Sequence, residues 1–142
     1  MNVVDSSGWL EYFAAEPNAD FFAPAIEDTA KLLIPALCLY EVFKRILQQR
    51  GEGNALQAVA VMQQSKVVEL TADLALTAAR TSTDYKLPMA DSIILTTANA
   101  HQATLWTQDS DFKDIDNVQF IAKRATSSNL KHTTVGRDQP KG

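Results

Sequence analysis

The sequence predicts an α/β fold in three layers, with a central parallel sheet flanked by helices. Three observations carry that expectation. Short apolar segments alternate with longer stretches whose apolar residues recur every three or four positions. Strands that alternate with helices in this way build a parallel sheet covered on both faces. With 142 residues, 46% of them hydrophobic, the chain has enough apolar material for one packed core.

Element by element, Asn2-Val3-Val4-Asp5 reads as a short strand that ends in a carboxylate. Ser6 or Ser7 is placed to cap a helix carrying Trp9, Leu10, Tyr12 and Phe13. Asp20 to Thr29 makes a second helix, and Lys31 to Pro35 a compact apolar strand closed by proline. Ala36 to Arg50 is a strong helix, with Leu39, Val42, Phe43, Ile46 and Leu47 at helical spacing; Gly51 and Gly53 break it. Asn54 to Gln64 is the next helix, Val67 to Leu70 a strand, and Ala72 to Asp84 an alanine-rich helix. Pro88 opens a helix that runs to about Ala100. Thr104-Leu105-Trp106-Thr107 is a strand followed at once by Asp109 and Asp111, and Val118 to Ile121 a last edge strand. The domain is expected to span residues 1–122. Residues 123–142, rich in Ser, Thr, Lys and Gly, are expected to form a basic, flexible tail.

Several classes are excluded by composition. The single cysteine, Cys38, cannot form an internal disulfide, and its apolar neighbours make it a core thiol; a reducing, cytoplasmic setting fits best. One Cys and two His are too few for the usual structural zinc sites. The longest apolar run, Leu32 to Tyr40, is interrupted by Pro35 and falls short of the ~20 residues of a membrane span, so no membrane partner is expected. The opening residues lack the basic region of a signal peptide. Residues 1–122 hold eight Lys and Arg against sixteen Asp and Glu, a net of −8; residues 123–142 hold five against one, a net of +4. An acidic body of this kind does not suit a protein that coats duplexes.

The positions of four acids are informative. Asp5 and Asp109 end strands, whereas Glu41 and Asp91 sit in the first turns of helices among apolar neighbours. In a doubly wound sheet those ends converge on one rim, where ligands bind near a topological switch point. Singly, the two helical acids have plain explanations: Asp91 favours a helix N-terminus, and Glu41 pairs with Arg45 four residues on. Together, four carboxylates on one rim repel unless a divalent cation joins them. Ligation by oxygen alone suits Mg²⁺, with Mn²⁺ as the other candidate, and the chemistry such a cluster serves is phosphodiester hydrolysis.

Four segments carry a family resemblance: Val3-Val4-Asp5-Ser6-Ser7, Tyr40-Glu41-Val42, Leu87-Pro88-Met89-Ala90-Asp91-Ser92-Ile93-Ile94, and Leu105-Trp106-Thr107-Gln108-Asp109-Ser110-Asp111-Phe112. In this order, over roughly residues 1–122, they resemble the PIN-domain nucleases, and most closely the VapC-type toxins of bacterial toxin–antitoxin modules. The resemblance implies a PIN-like fold and a metal-dependent endoribonuclease that acts on RNA. It implies that Asp5, Glu41, Asp91 and Asp109 form the acidic quartet, with Asp5 and Asp91 its most consistent Mg²⁺ ligands. Asp111 matches a further acid of the family, and Ser7 and Thr107 match hydroxyl positions that support the water or a carboxylate. A cognate antitoxin and a homodimer are the implied partners. Two other readings stand beside the toxin: an RNA-processing nuclease without an antitoxin, and an inactive interaction module, against which the acidic quartet argues.

The remaining features weigh less. Lys44 and Arg45, one turn beyond Glu41, and Lys86, before the Asp91 helix, are either solvated or contacts for substrate phosphates. Gly51-Glu52-Gly53 imitates part of a dinucleotide fingerprint but follows a helix and lacks the third glycine, which makes it a turn. Trp9, Tyr12 and Phe13 read as core rather than as a platform for bases.

Overall fold

A computed structural model describes residues 1–125; the expected tail from residue 126 onward lies outside the described residues. The chain folds as β1 (Asn2–Val4), α1 (Ser6–Phe13), α2 (Ala19–Glu27), β2 (Leu32–Pro35), α3 (Ala36–Arg50), α4 (Glu52–Met62), β3 (Lys66–Val68), α5 (Ala72–Tyr85), α6 (Met89–Ala100), β4 (Thr104–Thr107) and β5 (Val118–Phe120). The five strands form one sheet in the order β3-β2-β1-β4-β5, with every neighbouring pair parallel. Thus the three-layer α/β expectation holds.

The strand order sets the position of the site. From β1 the chain moves outward to β2 and β3, then returns past β1 to β4 and β5. Right-handed crossovers put α1–α4 on one face and α5 and α6 on the other. The change of direction leaves a crevice between the carboxyl ends of β1 and β4, which are in register at Val4 and Trp106.

Val3, Val4, Leu33, Ile34 and Leu105 form the buried centre of the sheet. Gly8 allows α1 to come close to it: a Cβ there would lie 2.7 Å from both Val4 and Phe22 side-chain atoms. On the same face, Phe21 packs 5.3 Å from Trp106, and Trp9 stacks 5.6 Å from Phe13. Trp9 is buried, and Tyr12 and Phe13 pack against the core, as their spacing predicts. Cys38 is fully buried, and burial pushes its thiol above its usual range, as a core thiol should be.

Some boundaries differ from the sequence reading, each for a local reason. The second helix stops at Glu27, and Thr29–Lys31 forms a 3₁₀ turn that takes Lys31 out of β2. Gly51 alone breaks the chain, at φ +87°; Gly53 lies inside the first turn of α4. Leu70 and Glu69 lie beyond β3, and Ile121 beyond β5. Neither Ser6 nor Ser7 caps α1. Asp5 does, by accepting the Gly8 N–H at 3.1 Å. At the other end, Lys123 and Arg124 contact α1 and the α1–α2 connection: Lys123 Nζ lies 3.4 Å from Glu11 of α1, and Arg124 donates to Asn18 Oδ1 at 2.8 Å and to the Pro17 carbonyl.

Candidate active site

Asp5 leaves β1 at the switch point and is only 3% exposed. Its Oδ1 accepts Ser7 Oγ at 2.7 Å as well as the Gly8 N–H, and its Oδ2 accepts Thr107 Oγ1 at 2.7 Å. Thr107 in turn accepts the Asp109 N–H at 2.9 Å. The threonine therefore ties the end of β1 to the acidic turn after β4. Burial raises the Asp5 carboxyl above its usual range; the hydrogen bonds from Thr107, Ser7 and Gly8 oppose that shift without cancelling it, and the Asp109 charge adds to it.

Asp109 caps the 3₁₀ turn Ser110–Phe112, accepting the Asp111 N–H at 2.9 Å. That turn points Asp111 toward Asp91, which occupies the first turn of α6 behind the Pro88 cap. Asp91, Asp109 and Asp111 each offer an oxygen within 4.8 Å of the others. Burial, then repulsion from and hydrogen bonding with Asp109, then the charges of Asp5 and Asp111, push the Asp91 carboxyl up to about 8.

Glu41 enters from α3. The helix begins at Ala36, so Glu41 lies in its second turn rather than its first. It accepts Ser6 Oγ at 2.6 Å, and among the described residues it makes no ion pair with Arg45. A cavity of about 240 Å³ is lined by Asp5, Ser7, Glu41, Arg45, Asp91 and Asp109. The structure thus brings together the four acids picked out in the sequence, with Ser7, Thr107 and Asp111 beside them. Arg45 joins this cavity, whereas Lys44 sits 5.6 Å from the ring centroid of Tyr40. Lys86 closes α5 in a left-handed conformation and does not line the cavity.

Two contributors escaped the sequence reading. Ser6 holds Glu41 across 35 residues of chain. Gln108, between Thr107 and Asp109, donates to buried Glu11 at 3.0 Å and accepts Asn18 Nδ2 at 2.9 Å. The adjacency of Ser6 to Asp5 and of Gln108 to Asp109 was the available signal.

The donor set fits a hard divalent cation. It consists of carboxylate oxygens supported by hydroxyls, three of the acids already converge, and their mutual repulsion falls when positive charge is placed among them. Among the described residues no His or Cys lines the cavity, and its carboxylate oxygens suit a harder cation than zinc.

The fold and the rim together define a class: a three-layer α/β protein with a carboxylate crevice at the switch point of a parallel sheet. The chain belongs to the PIN-domain family, whose model matches residues 3–118. Among curated proteins, none matches it in sequence. Its fold is shared with solved toxin structures. A toxin–antitoxin complex from Klebsiella pneumoniae aligns with TM-score 0.70 and 23% identity, over 84% of this chain and 96% of that one. VapC20 of Mycobacterium tuberculosis, described as a toxin that cleaves the sarcin–ricin loop, aligns with TM-score 0.69 and 16% identity, over 82% and 95%. VapBC2 from Rickettsia felis, bound to a DNA fragment from its promoter, aligns with TM-score 0.65 and 14% identity, over 85% and 97%. No helix among the described residues is long and apolar enough to cross a membrane.

Proposed function

We propose that the protein is a Mg²⁺-dependent endoribonuclease, the toxin of a toxin–antitoxin pair, acting in the cytoplasm. The observation that carries the enzymatic reading is the convergence of Asp5, Glu41, Asp91, Asp109 and Asp111 at the switch point. Membership of the PIN-domain family and the likeness in fold to toxins solved with antitoxins support the rest. A cognate antitoxin and a second copy of the chain are the proposed partners.

In this reading Asp91, Asp109 and Asp111 hold the ion, with Asp5 at its side; Mn²⁺ fits the same oxygens. The ion, when bound, supplies an activated water and neutralises charge on the phosphoryl and leaving oxygens. The chain's own groups arrange the reactants. Ser7, Gly8 and Thr107 fix both oxygens of Asp5, so its carboxylate cannot rotate away. Glu41, oriented by Ser6, is the group in the cavity wall placed to take a proton from water. Arg45 brings the cavity a positive charge for the substrate phosphate.

The test is cleavage of total RNA by purified protein with Mg²⁺, with chelator, and as the Asp5→Asn variant. Cleavage should require Mg²⁺ and fall by at least about a thousandfold in Asp5→Asn, the scale of losing a principal electrostatic element of a site, while circular dichroism stays unchanged. Cleavage that survives chelation or the substitution would defeat the assignment. Co-purification with the product of a neighbouring gene, and inhibition by it, would identify the antitoxin.

A further inference from the structure

Gln108 stands between two residues of the site. Thr107 before it donates to Asp5, and Asp109 after it is one of the converging acids. Its own side chain turns instead to a ring of buried polar groups. Gln108 Nε2 donates to Glu11 Oε1 at 3.0 Å, and Gln108 Oε1 accepts Asn18 Nδ2 at 2.9 Å. The Asn18 backbone N–H closes the ring on Glu11 Oε2 at 2.9 Å. All three residues are buried. Both polar atoms of each side chain have a partner, so the amides and the carboxylate are held in one orientation.

The chain that leaves β5 straps this ring from outside. Asn18 Nδ2 also donates to the Ala122 carbonyl at 3.1 Å, Asn18 Oδ1 accepts Arg124 Nε at 2.8 Å, and Arg124 donates further to the Pro17 carbonyl. Helix α1, the α1–α2 connection, the end of β4 and the segment after β5 therefore meet at one point, and the acidic turn starts there. Asp109 and Asp111 stand between two buried anchors, Gln108 before them and Phe112 after them. Without a cation, the oxygens that Asp91, Asp109 and Asp111 bring within 4.8 Å of one another push this turn outward. An apolar side chain at position 108 would resist that push by burial alone, which has no direction. The amide resists it through hydrogen bonds, which do.

We infer that Gln108 is a positioning residue of the metal site: its closed ring with Glu11 and Asn18, strapped by Ala122 and Arg124, holds the turn that presents Asp109 and Asp111 to the cation beside Asp91. The inference rests on the nuclease reading, which places a cation among these acids. It gives a task to a network outside the carboxylate cavity, since Gln108, Glu11 and Asn18 do not line it. It also makes Arg124, an exposed residue, part of the support of the site. A ring that only closed the end of the sheet would serve stability and leave metal affinity untouched.

Calorimetric titration of the full chain with Mn²⁺ alone, well below the thermal midpoint, tests this. Gln108→Met keeps the volume and removes the amide; Mn²⁺ affinity should fall by about tenfold, the low end for losing a partner that orients a metal ligand. Exchanging the partners, Glu11→Gln together with Gln108→Glu, leaves one amide facing one carboxylate and should restore most of the affinity. Met62→Ala is the control, because it opens a cavity in the core under α4. It should lower the thermal midpoint and leave Mn²⁺ affinity unchanged. Cleavage of RNA by Gln108→Met should need about tenfold more Mn²⁺ to reach half of its own maximum. Should Gln108→Met fail to fold, Arg124→Ala loosens the ring from the surface. The Asp109 and Asp111 amides should then exchange hydrogen faster than in wild type, with those of α5 unchanged. A Gln108→Met protein that binds Mn²⁺ as wild type does overturns the inference. So does a loss of affinity in Met62→Ala equal to that in Gln108→Met, or, where Gln108→Met does not fold, unchanged exchange in Arg124→Ala. Failure of the nuclease reading shows separately, as wild-type protein that binds Mn²⁺ with this dependence on Gln108 and cleaves no RNA.

Discussion

Two buried carboxylates, Glu11 and Asp5, flank the end of β4, and each is 3% exposed. Their situations are opposite. Glu11 accepts the Asn18 N–H at 2.9 Å and Gln108 at 3.0 Å, and Lys123 brings a positive charge to 3.4 Å. Burial alone would raise its carboxyl, but these donors outweigh burial and hold it below the usual range. Asp5 also has three donors, yet among the described residues no cation is paired with it, so burial prevails and its carboxyl is raised. Asp91 is more extreme, since three other acids face it. A buried charge satisfied by its own chain is a structural device. A cluster of acids that outnumber the one cation beside them, and that make no ion pair among the described residues, is built to be completed from outside.

Removing the satisfied acid should have the larger effect on stability. Glu11→Ala leaves the Asn18 N–H and the Gln108 amide buried without their acceptor, and removes the anchor of Lys123. The expected loss is about 2–3 kcal/mol, from one or two orphaned donors, read as a lower urea midpoint at unchanged slope. Because Gln108 adjoins Asp109, Mn²⁺ affinity should weaken as well. A neutral Glu11→Ala would erase the distinction drawn here.

The pH dependence should separate the two acids by sign. Asp91 is raised from 3.8 in the unfolded chain to about 8 in the fold. Its protonated form is favoured by folding, so its contribution is fully present below about pH 4 and is lost as pH rises through about 8. Glu11 is lowered from 4.5, so its contribution is present above that value and is lost as pH falls through its folded pKa. In chelator, wild-type stability should therefore decline between pH 5 and pH 8, and Asp91→Asn should flatten that decline. Urea titrations across this range measure it. A flat wild-type profile would show that the rim carries no excess repulsion.

How much of this was legible in the sequence follows from the range of each interaction. Strands ending in Asp5 and before Asp109, and the Pro88 start of the helix bearing Asp91, are local signals, and the structure keeps all three. The order of strands, with β1 between β2 and β4, is a property of packing that no local pattern encodes. Asp5 was legible as an acid at a strand end but not as the cap of its own helix, because two adjacent serines competed for that role. The Ser6–Glu41 bond and the Glu11–Gln108–Asn18 network join residues 35 to 97 positions apart or bring together polar side chains with no periodicity. The place of Asp111 beside Asp91 depends on a single 3₁₀ turn, which the sequence does not announce.

The central claim is that the carboxylate rim is a cation site whose repulsion is relieved by the metal. Thermal melts of wild type and Asp91→Asn, each in chelator and in Mn²⁺, test it without knowledge of the RNA. Mn²⁺ should raise the wild-type midpoint by mass action. Asp91→Asn should melt above wild type in chelator, since one repelling charge is gone, and should gain less from Mn²⁺. An Asp91→Asn protein that melts at or below wild type in chelator and responds to Mn²⁺ as fully as wild type would contradict the claim, and would leave Asp91 as a residue that serves only the start of α6.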